Sequence, residues 1–144
     1  MERTKIKREF SAGGVVYKRN GSETLWLVIK PSGSDKWRFP KGWIREGESS
    51  KEAAKREVTE EAGIEAEVLE KIGTEQYFFV LKGERIFKIV AFFLMEYREE
   101  AKTPVCWETE KVDWLTFEEA RERLSFKKER EMLEKGKEML GEVA

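Results

Sequence analysis

The chain has 144 residues, enough for one domain with a real core, and its 28 Lys+Arg against 29 Asp+Glu leave a net charge of −1. That balance argues against a protein held to nucleic acid by bulk charge. The lack of any histidine excludes imidazole catalysis, Ser-His-Asp triads and His-ligated zinc or haem.

The single cysteine, Cys106, allows no intrachain disulfide and points to a reducing compartment. All the acids but Asp35 and Asp113 are glutamates, and Asn20 and Gln76 are the only side-chain amides, a composition that suggests heat adaptation. The longest unbroken apolar run, 89–95, is too short to cross a bilayer, and MERTKIKREF has no apolar stretch of the secretory kind. A cytoplasmic protein with no membrane partner is expected.

Along the chain, a strand is predicted over 9–18, a turn at Asn20-Gly21 and a second strand over 24–30; Asn-Gly suits turn positions that need positive φ. Residues 31–35 are a loop by composition, and 37–39 form a short strand stub before Pro40-Lys41-Gly42. Ser49 is placed to N-cap a helix that runs to about Ala62 and ends at Gly63. The period then changes to two. Residues 66–81 and 85–97 predict a long hairpin turning at Lys82-Gly83-Glu84, with 89–95 buried on both faces and Phe78, Phe79, Phe92 and Phe93 in the core.

After a polar loop holding Pro104, a strand is expected over 112–115. Thr116 then caps a helix to about Leu124, with Glu119 completing a capping box. A terminal helix over about 127–140 presents Met132, Leu133, Met139 and Leu140 at core-facing spacing. The expectation is a single α/β domain over 1–144, with a mixed β-sheet between helices.

The chemistry concentrates in the predicted helix ending at Gly63. Glu57, Glu60 and Glu61 stand at i, i+3 and i+4, so they project from one face within a turn. Like charges at that spacing repel by a few tenths of a kcal/mol per pair. A hard divalent cation reverses that cost, and Mg2+ is typically shared between carboxylates and a substrate's phosphates. Ala54, Val58 and Ala62 form an adjacent apolar stripe that would dock the helix. Acidic faces also occur where no metal binds: Glu110, Glu118, Glu119 and Glu122 show how freely this composition makes them.

The surrounding segment, 42–64, resembles the Nudix box: a Gly, five residues, Glu, seven residues, then Arg-Glu-apolar-x-Glu-Glu-x-Gly-apolar. Gly42, Glu48, Arg56, Glu57, Val58, Glu60, Glu61, Gly63 and Ile64 meet every specified position without a gap. The resemblance implies the Nudix fold, an α/β/α sandwich around a mixed sheet, and hydrolysis of a nucleoside diphosphate linked to another moiety. By position, Glu57, Glu60 and Glu61 would be catalytic metal ligands for Mg2+, with Mn2+ able to substitute. Glu48 and Arg56 would form a structural ion pair, and Gly42 would offer a close approach for phosphate. Lys41 beside it would meet phosphate charge. With no histidine available, the proton acceptor must be a carboxylate, lysine or tyrosine. The box glutamates are candidates, and the resemblance adds an acid from the loop before the last strand, where Nudix enzymes often place a further ligand or base: Glu108 is the first choice there and Glu110 the second.

Trp37-Arg38-Phe39-Pro40-Lys41-Gly42 is similar to the W-x-x-P-K-G run of dinucleoside polyphosphate hydrolases, those of diadenosine tetraphosphate in particular. The same likeness makes Tyr77 and Phe126 nucleobase platforms, since a stacked base gains ~1–3 kcal/mol. Trp43 departs from the His or Asn usual after that run. The partner implied is a small nucleotide, with nucleic acid entering only as a 5′-triphosphate end. RNA 5′-pyrophosphohydrolases, nucleoside triphosphate pyrophosphohydrolases and a non-catalytic nucleotide-binding Nudix module stay open as alternatives. Oligomeric state is not legible.

Overall fold

The computed structural model describes residues 6–141; the ends of the expected domain, 1–5 and 142–144, lie outside the described residues. In chain order the elements are β1 (Ile6–Asn20), β2 (Glu23–Pro31), β3 (Lys41–Trp43), α1 (Ser50–Ala62), β4 (Ile64–Leu81), β5 (Glu84–Glu100), β6 (Thr109–Leu115), α2 (Phe117–Arg123) and α3 (Lys127–Met139). The sheet order is β4-β5-β1-β2-β6, with β3 added on β1. β1 runs parallel to β5 and the other pairings are antiparallel, so the sheet is mixed as expected.

Local signals set the helices. Ser49 and Glu52 make a reciprocal capping box at the start of α1, and Gly63 closes it in the left-handed region at φ 71°. Thr116 and Glu119 do the same for the start of α2. Ala54, Val58 and Ala62 of α1 pack on one sheet face with Ala12, Val16, Leu27, Ala91 and Phe93. Ala120, Leu124, Met132 and Leu133, from and between α2 and α3, cover the other with Val15, Val28, Val90 and Phe92. The result is the three-layer α/β/α arrangement.

Three expectations need correction. Lys41 to Trp43, where no strand is predicted, form β3, because the free edge of β1 pairs Ser11 with Trp43 and Gly13 with Lys41. The stub at 37–39 reduces to one bridge, in which Arg38 and Ile29 exchange backbone bonds of 2.8 and 2.9 Å. Phe78 is 57% exposed, although expected in the core. It stacks on Phe87 at 4.6 Å in the outer part of the β4–β5 hairpin. Phe92 and Phe93 are buried, and Phe79 is half-buried.

Candidate active site

β3 is short but decides where the site lies, because successive side chains in a strand point to opposite faces. Gly42 faces α1, whereas Lys41 reaches α3 on the other side: its Nζ lies 2.9 Å from Glu129 Oε2. A Cβ on Gly42 would stand 2.3 Å from the Glu57 carboxyl carbon, so glycine is what lets that carboxylate lie against the strand.

Arg56 organises the acids. Its Nε donates to Glu48 Oε2 at 2.7 Å and its Nη2 to Glu48 Oε1 at 3.0 Å, a two-pronged ion pair. The same Nη2 donates to the Trp43 carbonyl at 2.9 Å, fixing β3 to α1. Its Nη1 donates to both Glu57 Oε1 at 2.7 Å and Glu60 Oε2 at 3.2 Å. Hydrogen bonds from Arg56, then from the Arg45 backbone, hold the Glu48 carboxyl down at about 2. The Arg56 guanidinium is correspondingly pushed up, first by Glu48.

Glu61 turns a different way. Only 7% exposed, it accepts the Lys41 backbone N–H at 2.7 Å and Arg38 Nη2 at 2.9 Å. Burial raises its pKa, against the opposing pull of Arg38 and the Lys41 N–H; the nearby Glu57 charge adds to the rise. Glu57 and Glu60 therefore meet at one cation, and Glu61 holds the base of β3.

On the α3 side the Lys41 ammonium is flanked by aromatic rings. It lies 5.8 Å from the Phe126 ring and 5.9 Å from that of Phe92. Ser125 fixes Phe126 by exchanging hydrogen bonds of 3.0 Å with Trp37: its hydroxyl accepts from Trp37 N, and its own N–H donates to Trp37 O. Tyr77 lies opposite Lys88 on the β4–β5 ladder and Lys88 opposite Glu9 on β1. Burial raises the Tyr77 hydroxyl pKa, and Lys41 pulls it down. Lys88 is pushed down by burial, and its Nζ lies 5.6 Å from the ring of Trp43, itself 63% exposed. Tyr77, Phe126 and Trp43 thus leave aromatic surface open beside two lysines, and Glu75 adds an acid whose pKa burial raises.

The NUDIX domain family matches residues 7–135, nearly all of the described chain. The chain belongs to the Nudix hydrolase family. A Mycobacterium tuberculosis relative, whose name marks it as a mutator protein, is 31% identical over 98% of this chain and 59% of its own length. The asymmetrical bis(5′-nucleosyl)-tetraphosphatase of Mus musculus is 30% identical over 88% of this chain and 87% of its own. Among solved structures, a C. elegans Ap4A hydrolase binary complex superposes with a TM-score of 0.76 at 26% identity, covering 92% of this chain and 98% of that one. Of several curated relatives the chain spans only 36% to 59% of their length.

The Nudix box thus spans β3, the Arg56-bound acids and the cap of α1. Among the described residues no three acidic or cysteine side chains converge as a ready metal cage. The donor chemistry nonetheless fits a hard divalent ion: Glu57 and Glu60 already hold one cationic group between them, and all the donors are oxygens. The loop before β6 is docked on the box, with Cys106 N donating to the Glu60 carbonyl at 2.9 Å. Glu108, two residues on, is exposed and gives its carbonyl to Ser32 N at 2.8 Å. Glu110 is instead engaged by Lys30 across the β2–β6 pair, which lowers its pKa.

Sequence reasoning passed over Glu129, Lys88 and Glu75. Glu129 had a signal: it precedes Met132 and Leu133 by three and four residues, and so lies on the buried stripe of α3.

Proposed function

We propose that this chain is a Mg2+-dependent pyrophosphohydrolase for dinucleoside polyphosphates, cleaving diadenosine tetraphosphate to ATP and AMP. The observation that carries the reading is β3 itself. One three-residue strand joins Gly42, against which the Glu57 carboxylate lies, directly to Lys41, whose ammonium lies 5.8 Å from the Phe126 ring, so the acids and the cation of the reading are neighbours.

In this reading Glu57, Glu60 and Glu61 hold Mg2+, with Arg38 competing for the Glu61 carboxylate. Mg2+ there supplies charge neutralisation on phosphoryl oxygens and a water of lowered pKa. Arg56 keeps Glu57 and Glu60 on one side of α1, and Glu48 keeps Arg56 in place. Glu108 takes the proton of the attacking water, since its carboxylate is exposed on a loop anchored to Glu60. Lys41 faces the phosphate chain, and Tyr77 and Phe126 stack the nucleobase. The likeness to the mouse tetraphosphatase, over most of both chains, supports this substrate class.

A Nudix module that binds nucleotide without turnover is the second reading, favoured by the occupation of both Glu61 oxygens. Incubation with Mg2+ and a panel of diadenosine tetraphosphate, triphosphorylated RNA and nucleoside triphosphates, with products separated by chromatography, decides between them. ATP plus AMP supports the proposal. Pyrophosphate released from the RNA end moves the assignment to an RNA 5′-pyrophosphohydrolase, and from a nucleoside triphosphate to a triphosphate pyrophosphohydrolase. Binding with no product supports the silent module.

A further inference from the structure

Glu129 is 0% exposed, and a carboxylate stays buried only when its charge is answered. It sits at the third position of α3, where an acid is favoured by the helix terminus and often folds back on its own cap. Here it turns inward instead. Oε1 accepts the Phe39 backbone N–H at 3.0 Å, and Oε2 lies 2.9 Å from Lys41 Nζ. At 2.9 Å one ammonium N–H can turn onto Oε2, which leaves the other two for another acceptor.

The surroundings limit where Lys41 could go. Its charge reaches Glu75, whose Oε2 is buried and unbonded, and it opposes Lys88; with Glu9 acting on Lys88 and Lys128 on Glu75, the cluster sets three acids against three lysines. If Lys41 left Glu129, it would strand a buried negative charge. The ammonium is therefore confined between the Phe92 and Phe126 rings.

We propose that Glu129 is a positioning residue: it fixes the Lys41 ammonium beside the Phe126 ring so that its remaining N–H groups meet the phosphate chain of the ligand. The inference rests on the reading of Lys41 as a phosphate contact. It assigns to α3 a part in phosphate recognition distinct from the stacking role of Phe126.

The test is a double-mutant cycle of Glu129→Gln and Lys41→Met with diadenosine tetraphosphate. Glutamine keeps an oxygen for Phe39 N but turns an amide N–H2 toward the ammonium, and melting curves check that each variant is folded. The expected result is a KM raised about tenfold in E129Q with kcat within about twofold, and no further loss when E129Q is added to K41M. A fall in kcat without a change in KM, or equal losses in both backgrounds, overturns the positioning role. Equal losses with normal wild-type turnover overturn this inference alone. If wild-type protein binds the nucleotide without cleaving it, the hydrolase reading fails, and the same cycle read as dissociation constants by calorimetry still decides for or against Glu129. Wild-type protein that does not bind at all overturns both.

Discussion

The Glu57 carboxylate rests against the α-carbon of Gly42, at a separation no side chain on residue 42 could share: an added Cβ would lie 2.3 to 2.6 Å from its three terminal atoms. The contact joins the acid helix to β3. Gly42→Ala is therefore expected to displace the far end of a flexible side chain without breaking the fold. Turnover should fall about tenfold or more, while the melting temperature moves by a few degrees at most. Parallel kinetic and thermal measurements check this, and full activity in the alanine variant would remove Glu57 from the proposed site.

The Glu48–Arg56 pair makes a pH prediction. The folded carboxyl titrates at about 2, below its ordinary 4.5, because Arg56 and the Arg45 N–H stabilise the charged form. A depressed folded pKa contributes stability that is present above about 4.5 and is lost as pH falls from there toward 2. Glu48→Gln should lower stability at neutral pH by about 1–3 kcal/mol and flatten the acid limb of melting temperature against pH over that window. Unfolding curves between pH 2 and 7 test both parts.

Glu108 and Glu110 should separate cleanly. Glu110 is paired with Lys30 on the β2–β6 ladder, whereas Glu108 belongs to the loop tied to the Glu60 carbonyl. Glu108→Gln is expected to reduce kcat about 100-fold with KM nearly unchanged, and Glu110→Gln to leave kcat within about twofold. The reverse pattern would reassign the base.

Tyr77 and Phe126 stand on different elements around Lys41, both with exposed ring surface. Truncating either to Ala should cost ~1–3 kcal/mol of nucleotide affinity, roughly 5- to 150-fold in KM, with little change in melting temperature. A large stability loss with unchanged KM would make these rings structural.

What could be read without coordinates follows from how far each interaction reaches along the chain. Ser49, Gly63 and Thr116 announced helix ends, since caps are hydrogen bonds between near neighbours. The alternation in 66–81 and 85–97 indicated a hairpin, although it misplaced Phe78 of the first strand, because whether a strand face is covered depends on where the helices stop. β3 was missed because its strand state exists only through pairing with Ser11 and Gly13.

The same division applies to the site. The letters of 42–64 alone determined the family, the cap geometry and the presence of three acids within one turn of α1, since periodicity and local hydrogen bonding fix these. Folding alone decided that Glu57 and Glu60 share Arg56 while Glu61 turns to Arg38, and that Lys41 is answered by Glu129. The direction of a charged side chain is set by whichever opposite charge the packed layers bring within reach, and such partners come from distant parts of the chain.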